Sequence, residues 1–323
     1  MRHHMQTRLP HMLAVAVGGL VGGGIIAAQC GHLVAGAGEF LRYDAPSGNR
    51  LAYELVGEHA DPSAPLIVLE SGHQASHRYW HWVALDLART HRVLMYSRAG
   101  YGASEYLARG TYSLQESIDD LVDLVESVRD GREVLLVGHS LGGYLVHRMG
   151  GAAPFPVHSI VLIDPTHPEE IVRIPSRREG AKLLDRSHIT VVPSLRLGWG
   201  LMLDTPEWLA DLPAPVRRAL RAEFRDFGAW AATRREWDSL HQLFRSPPPL
   251  LSVTVPVWVV AASLTLETAY EQRQLFDEYI SAGRGGEYRV IDGATHLTVL
   301  SSRDYASQLS AIVRETQNVK ESA

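Results

Sequence analysis

The sequence predicts an α/β protein with a mostly parallel sheet covered by helices on both faces. Three observations carry this. Continuous apolar runs such as Pro65 to Leu69, bounded by Pro and Gly, read as strands buried on both sides. Segments with apolar residues at helical spacing alternate with them. Gly138-His139-Ser140-Leu141-Gly142 directly follows the apolar run Glu133 to Val137, and this G-x-S-x-G pattern marks a sharp strand-to-helix turn.

The elements follow in order. Phe40 to Tyr43 and Leu51 to Leu55 alternate around the turn residues Ser47-Gly48-Asn49, which predicts an antiparallel hairpin and so a mixed sheet. Pro65 to Leu69 and Arg92 to Tyr96 are the next strands. Ser113-Leu114-Gln115-Glu116 is a capping box, opening a helix with the stripe Ile118, Leu121, Val122, Val125 and Val128. The turn strand and its helix come next, the latter with Tyr144, Leu145, Val146 and Met149 on one face. Ile160 to Ile163, Val255 to Ala262 and Tyr288 to Ile291 complete the strands, and Leu275 to Ile280 and Tyr305 to Val313 read as helices. Between Thr166 and Leu250 no strand pattern appears and Trp, Arg and Pro become frequent, which predicts a helical insertion over the strand ends. The expected division is residues 1–38 as a signal peptide or membrane anchor, 39–165 as the first part of the core, 166–250 as a helical cap, and 251–323 as the second part of the core.

Composition narrows the function. The chain has 323 residues, 46% of them hydrophobic, a net charge of −5 and no block of like charge, which argues against nucleic acid as a partner. A single cysteine, Cys30, excludes an intrachain disulfide and a multi-cysteine metal site. From Leu9 to Gly38 there is no Asp, Glu, Lys or Arg, and Met12 to Ala28 is apolar behind Arg2 and Arg8. A basic start followed by an apolar run is the pattern of an export signal or anchor, with Ala35-Gly36-Ala37 as a candidate cleavage site. Either outcome leaves the α/β domain outside the cytoplasm and allows membrane association.

The G-x-S-x-G turn points to a nucleophile. Side chains at Gly138 or Gly142 would collide with the neighbouring strand or the helix start. The strained corner lifts the Ser140 hydroxyl towards a base, and the Leu141 N–H at the helix N-terminus suits a developing negative charge. His73, His77 and His81 fall four apart, but no carboxylate joins them, and no metal site is expected there. Gly100 and Gly102 do not form a dinucleotide fingerprint, and no cofactor is expected.

Several stretches together resemble the α/β-hydrolase family across roughly Phe40 to Val313. These are Leu69-Glu70-Ser71-Gly72-His73, Tyr96-Ser97-Arg98-Ala99-Gly100-Tyr101-Gly102-Ala103-Ser104, the Ser140 turn, Leu162-Ile163-Asp164-Pro165 and Gly293-Ala294-Thr295-His296. The resemblance implies the α/β-hydrolase fold, an eight-stranded mixed sheet with a cap. It also implies a triad in the order Ser, acid, His, with Ser140 first and His296 last. The acid departs from the family pattern: Thr265 stands where Asp is expected, in the loop Ser263-Leu264-Thr265-Leu266-Glu267. Asp164 is the preferred replacement and Glu267 the alternative. By the same resemblance the second oxyanion donor is the His73 N–H, beside that of Leu141. Arg98, in the Arg-Ala-Gly-Tyr-Gly turn, is read as a structural residue pinning a loop beneath the site.

The function expected is a serine hydrolase acting on a small or medium ester-like substrate through an acyl-enzyme, with no cofactor or metal. Peptidase, thioesterase, lactonase and carbon–carbon bond hydrolase share this triad, and a non-catalytic binding protein on the same scaffold is a further alternative. Dehalogenase and epoxide hydrolase chemistry are disfavoured, because those relatives resemble the fold with Asp where this chain has Ser140.

Overall fold

Strands buried along their whole length lie inside the sheet and not at its edges. The computed structural model describes residues 23–26, 28–197, 203 and 206–317. Its eight strands are β1 (Leu41–Asp44), β2 (Arg50–Val56), β3 (Leu66–Glu70), β4 (Val93–Tyr96), β5 (Val134–His139), β6 (Val157–Ile163), β7 (Val257–Ala262) and β8 (Tyr288–Ile291). Their order across the sheet is β1-β2-β4-β3-β5-β6-β7-β8. The β1–β2 and β2–β4 pairs are antiparallel and the others parallel, giving the mixed sheet that the opening hairpin predicts.

The period-2 alternation of strands sorts side chains into two cores. Leu66 and Val68 of β3, with Val134 and Leu136 of β5, face one side. Ile67 and Leu69, with Leu135 and Val137, face the other. Helices α2 (Leu114–Val128) and α3 (Leu141–Gly150) cover the first side through Leu121, Leu124, Leu145 and Met149. Helix α1 (His81–Leu87), through Val83 and Leu87, covers the second. Each fully buried aliphatic side chain contributes about 1.5–3 kcal/mol relative to exposure. Ser113 caps α2 by accepting the Glu116 N–H, half of the capping box read from the sequence.

Between β6 and β7 the described chain is helical. It comprises α4 (Glu170–Arg173), α5 (Pro175–Arg196), a 3-10 turn at Glu207–Leu209, α6 (Ala214–Phe224) and α7 (Phe227–Arg245). Ser263–Thr268, expected as a loop, is instead the short helix α8. Its polar residues are bonded to neighbouring segments: the buried Thr265 hydroxyl bonds Asp164, and Ser263 Oγ accepts the Gly293 N–H. The chain then runs through α9 (Gln272–Ala282), β8, α10 (Thr298–Ser301) and α11 (Arg303–Glu315).

Most of the apolar run Met12 to Ala28 lies outside the described residues. Among those described, no helix is long and apolar enough to cross a membrane. The helical stretch within 23–35 leans on the cap: His32 Nδ1 lies 2.9 Å from Asp226 Oδ1, and Arg78 donates to the carbonyls of Ala35 and Ala37 at 3.1 and 2.6 Å.

Candidate active site

The ends of β5, β6 and β8 converge on one edge of the sheet. Ser140 follows β5 with φ +54° and ψ −122°, and Asp164 follows β6 with φ +41°. Such backbone costs on the order of 1–3 kcal/mol per residue, and hydrogen bonds between the strand ends hold it. Ser140 N–H donates to Ile163 O at 2.9 Å, and Thr166 N–H donates to Ser140 O at 3.0 Å. The glycines of the turn are there because space is short. A Cβ on Gly138 would strike the Gly142 carbonyl, and one on Gly142 would strike the carbonyls of Glu70 and Ser71.

The structure brings His296 to Asp164. His296 Nδ1 lies 3.2 Å from Asp164 Oδ2. The carboxylate is buried and otherwise well bonded, with Oδ1 accepting the Ala262 N–H at 2.9 Å and Oδ2 accepting the Thr265 hydroxyl at 2.5 Å. Burial pushes its pKa up, but the bonds from His296, Thr265 and Ala262 outweigh burial and hold it below the ordinary carboxylate value. Glu267 is exposed and makes no bond to His296 among the described residues. Thr265, at the place where the family pattern has Asp, thus buttresses a carboxylate supplied by the next strand over. Thr265→Val is expected to leave that oxygen short of a donor and to lower stability by about 1–3 kcal/mol. Urea unfolding of the two proteins checks this.

His139 is a site residue that sequence reasoning missed. Its ring lies against that of His296, with centroids 4.5 Å apart, and its Nε2 donates to the His296 carbonyl at 2.8 Å. Burial, helped by His296, lowers its pKa to about 3. The ring is therefore neutral and, donating from Nε2, carries no proton on Nδ1. The residue beside Ser140 thereby holds the turn that carries His296. Nothing in the single sequence marks it, because the second position of G-x-S-x-G is open to any residue. Among the described residues Ser140 Oγ makes no hydrogen bond, to His296 or to any other group; contacts of this kind often tighten only with substrate in place.

Both oxyanion candidates lie close to Ser140. Leu141 is the first residue of α3, where amides lack intrahelical partners. Gly72 packs so closely that a Cβ there would lie 3.1 Å from Ser140 Cβ, which places the following residue, His73, near Ser140. The His73 imidazole points away into the cap, with Nε2 2.9 Å from Thr233 O. Arg98, nearly fully buried, donates to Ser71 O at 2.5 Å and Gly72 O at 2.8 Å, and so does hold this loop.

Two clefts indent the surface. One of about 550 Å³ is bordered by Thr295 and Thr298 on either side of His296 and by Glu207, Trp208 and Asp211 of the cap. Another of about 480 Å³ is lined by Phe40, Glu54, His77, Arg78 and Met95; like the first, it is lined by none of Ser140, Asp164 and His296. His77 and His81 border this second cleft, away from His73, so the three histidines do not converge on one point. Trp199 lies outside the described residues. Among those described, His167, Glu169 and Glu278 are close enough to share a cation. Arg173 already bridges both carboxylates, however. His167 Nδ1 accepts the Glu169 N–H at 3.1 Å, which leaves the proton of the neutral ring on Nε2, facing Glu278 at 3.4 Å. Arg173 thus already neutralises the two carboxylates that a cation would need, while His167 Nε2 makes no hydrogen bond among the described residues.

The fold and this strand-end constellation define an α/β hydrolase. The chain belongs to the alpha/beta hydrolase family, whose model matches residues 66–308. It is 36% identical over 107 residues to a protein named as the carbamate hydrolase RutD of Pseudomonas syringae pv. syringae, a match covering 33% of this chain and 40% of that one. It is 28% identical over 179 residues to lipase LipV of Mycobacterium tuberculosis, covering 55% and 56%. The chain thus matches less than two thirds of the length of either relative. The Cif epoxide hydrolase of Acinetobacter nosocomialis superposes with a TM-score of 0.69 over 92% of this chain and 96% of its own, at 14% identity, a likeness of fold.

Proposed function

We propose that this hydrolase is a serine esterase working through an acyl-enzyme, with Ser140 as nucleophile, His296 as base and Asp164 as acid. The observation that carries the reading is the His296–Asp164 contact at 3.2 Å, made beside a serine on a strained turn at φ +54°. Asp164 accepts from Nδ1, so the neutral imidazole keeps its lone pair on Nε2. Nε2 takes the Ser140 proton as Oγ attacks the ester carbonyl carbon. The carbonyl oxygen gains the charge and is held by the Leu141 and His73 amides. As the tetrahedral centre collapses, the imidazolium gives its proton to the departing alkoxide. Water then enters, loses a proton to the same nitrogen and attacks the acyl carbon; the imidazolium returns that proton to Ser140 Oγ as the acid departs. No step calls for a metal or cofactor.

The test is labelling with a fluorophosphonate, which phosphonylates an activated serine. Stoichiometric attachment at Ser140 is expected, and an unlabelled protein would instead support a binding role for the scaffold. The relative named as a carbamate hydrolase favours one second reading, cleavage of a carbamate on the same three residues; a panel of matched esters and carbamates separates the two. The charge-free stretch from Leu9 to Gly38 supports residues 1–38 as an export signal or anchor, with the catalytic domain outside the cytoplasm.

A further inference from the structure

Resting on the serine-hydrolase reading, we infer that Glu236 of the cap helix α7 is a positioning residue for the oxyanion hole, acting through Arg98. The five N–H donors of Arg98 meet five acceptors. Nε donates to Glu236 Oε1 at 2.6 Å and Nη2 to Glu236 Oε2 at 3.1 Å, a two-point clasp on the cap. The remaining donors take Glu70 Oε1, Ser71 O at 2.5 Å and Gly72 O at 2.8 Å, all in the core. Tyr101 secures the far side of the clasp, donating to Glu236 Oε2 at 2.9 Å. One turn earlier on the same helix, Thr233 O holds the His73 imidazole at 2.9 Å. The loop from Ser71 to His73 is therefore gripped twice by one cap helix, once through carbonyls and once through a side chain.

The peptide plane turns this grip into an effect on chemistry. In a trans peptide the C=O and the N–H of the next residue point in opposite directions. Fixing Gly72 O on Arg98 therefore fixes the His73 N–H on the opposite side of the loop. Gly72 has no Cβ to resist rotation of that plane, and its backbone lies against Ser140 and His139, so the orientation depends on what holds the carbonyl. Burial pushes the Glu70 carboxylate up, whereas Arg98 outweighs burial at Glu236, 138 residues away in sequence, and holds it below the ordinary carboxylate value. A buried ion pair is by itself weak evidence for stability. What Glu236 adds is direction: it draws the guanidinium to the cap side and makes the oxyanion loop and the cap one unit.

The experiment compares the full-length chain with Glu236→Gln, using a nitrophenyl acyl ester and a trifluoromethyl ketone. Ser140 Oγ adds to the ketone carbon, its proton passes to His296, and the ketone oxygen becomes the oxyanion. The expected result is a kcat lowered about 10- to 100-fold, less than the ~10²–10³ of deleting a donor outright. KM should stay within about twofold, and the ketone should bind more weakly by the factor lost in kcat. A merely structural residue would lower the melting temperature without that parallel. A folded Glu236→Gln protein with kcat within about twofold of wild type, or with ketone affinity unchanged, overturns the inference. Should Glu236→Gln not fold, His73→Phe breaks the other arm of the grip, keeps the backbone amide, and is judged on the same readouts. A fully active Ser140→Ala control would instead defeat the underlying hydrolase reading.

Discussion

Ser140→Ala is expected to lower ester turnover by ~10⁶-fold and to leave the melting temperature unchanged. The two halves have separate physical grounds. When nucleophile and base act as a unit, losing either removes the whole covalent route, which is the source of so large a factor. The Ser140 side chain makes no hydrogen bond among the described residues, so removing its oxygen orphans no partner. Alanine meets the same backbone strain at φ +54° as serine does, and a change within about 0.5 kcal/mol is expected. Turnover of nitrophenyl acyl esters and thermal unfolding, measured on the same preparations, test both halves. Activity above about one per cent of wild type would mean that the attacking group lies elsewhere.

The elements most legible in the sequence are those whose burial leaves a pattern. Leu66 to Leu69 and Val134 to Val137 alternate between two cores while remaining apolar throughout, and both were recognisable as central strands. Ser140 was legible because its glycines answer a steric demand that any sequence with this turn must meet. Polar contacts across long sequence separations leave no such trace. Thr265 reads as a gap in the family pattern, yet in space it donates to Asp164, 101 residues earlier. Ser263 to Glu267 read as a loop because a single turn of helix holds too few residues for a period to emerge. His139 and Glu236 are invisible for the same reason: their partners, the His296 carbonyl and Arg98, lie 157 and 138 residues away. Arg98 could be seen as structural from its place in the Arg-Ala-Gly-Tyr-Gly turn, but not as a clasp on the cap.

Asp164→Asn is the substitution that decides between the two carboxylates, with an expected loss of about 10⁴-fold in kcat. An amide has one acceptor and one donor end, whereas this carboxylate serves three donors. Placing the amide NH₂ towards the Ala262 N–H sets donor against donor in a buried site. The favoured orientation puts its oxygen at Ala262 and its NH₂ towards His296. Nδ1 must then accept, the ring proton moves to Nε2, and Nε2 loses the lone pair that should receive the Ser140 proton. The loss follows from this change of tautomer even if no atom shifts position. Glu267→Gln, on an exposed residue with no bond to His296 among the described residues, is expected to keep kcat within about twofold. The reverse outcome, with Asp164→Asn active and Glu267→Gln impaired, would transfer the acid to α8 and leave the bond from Thr265 to Asp164 a purely structural one. Within the predicted outcome, Thr265 is the hydroxyl that keeps a carboxylate from β6 working where the family places one after β7.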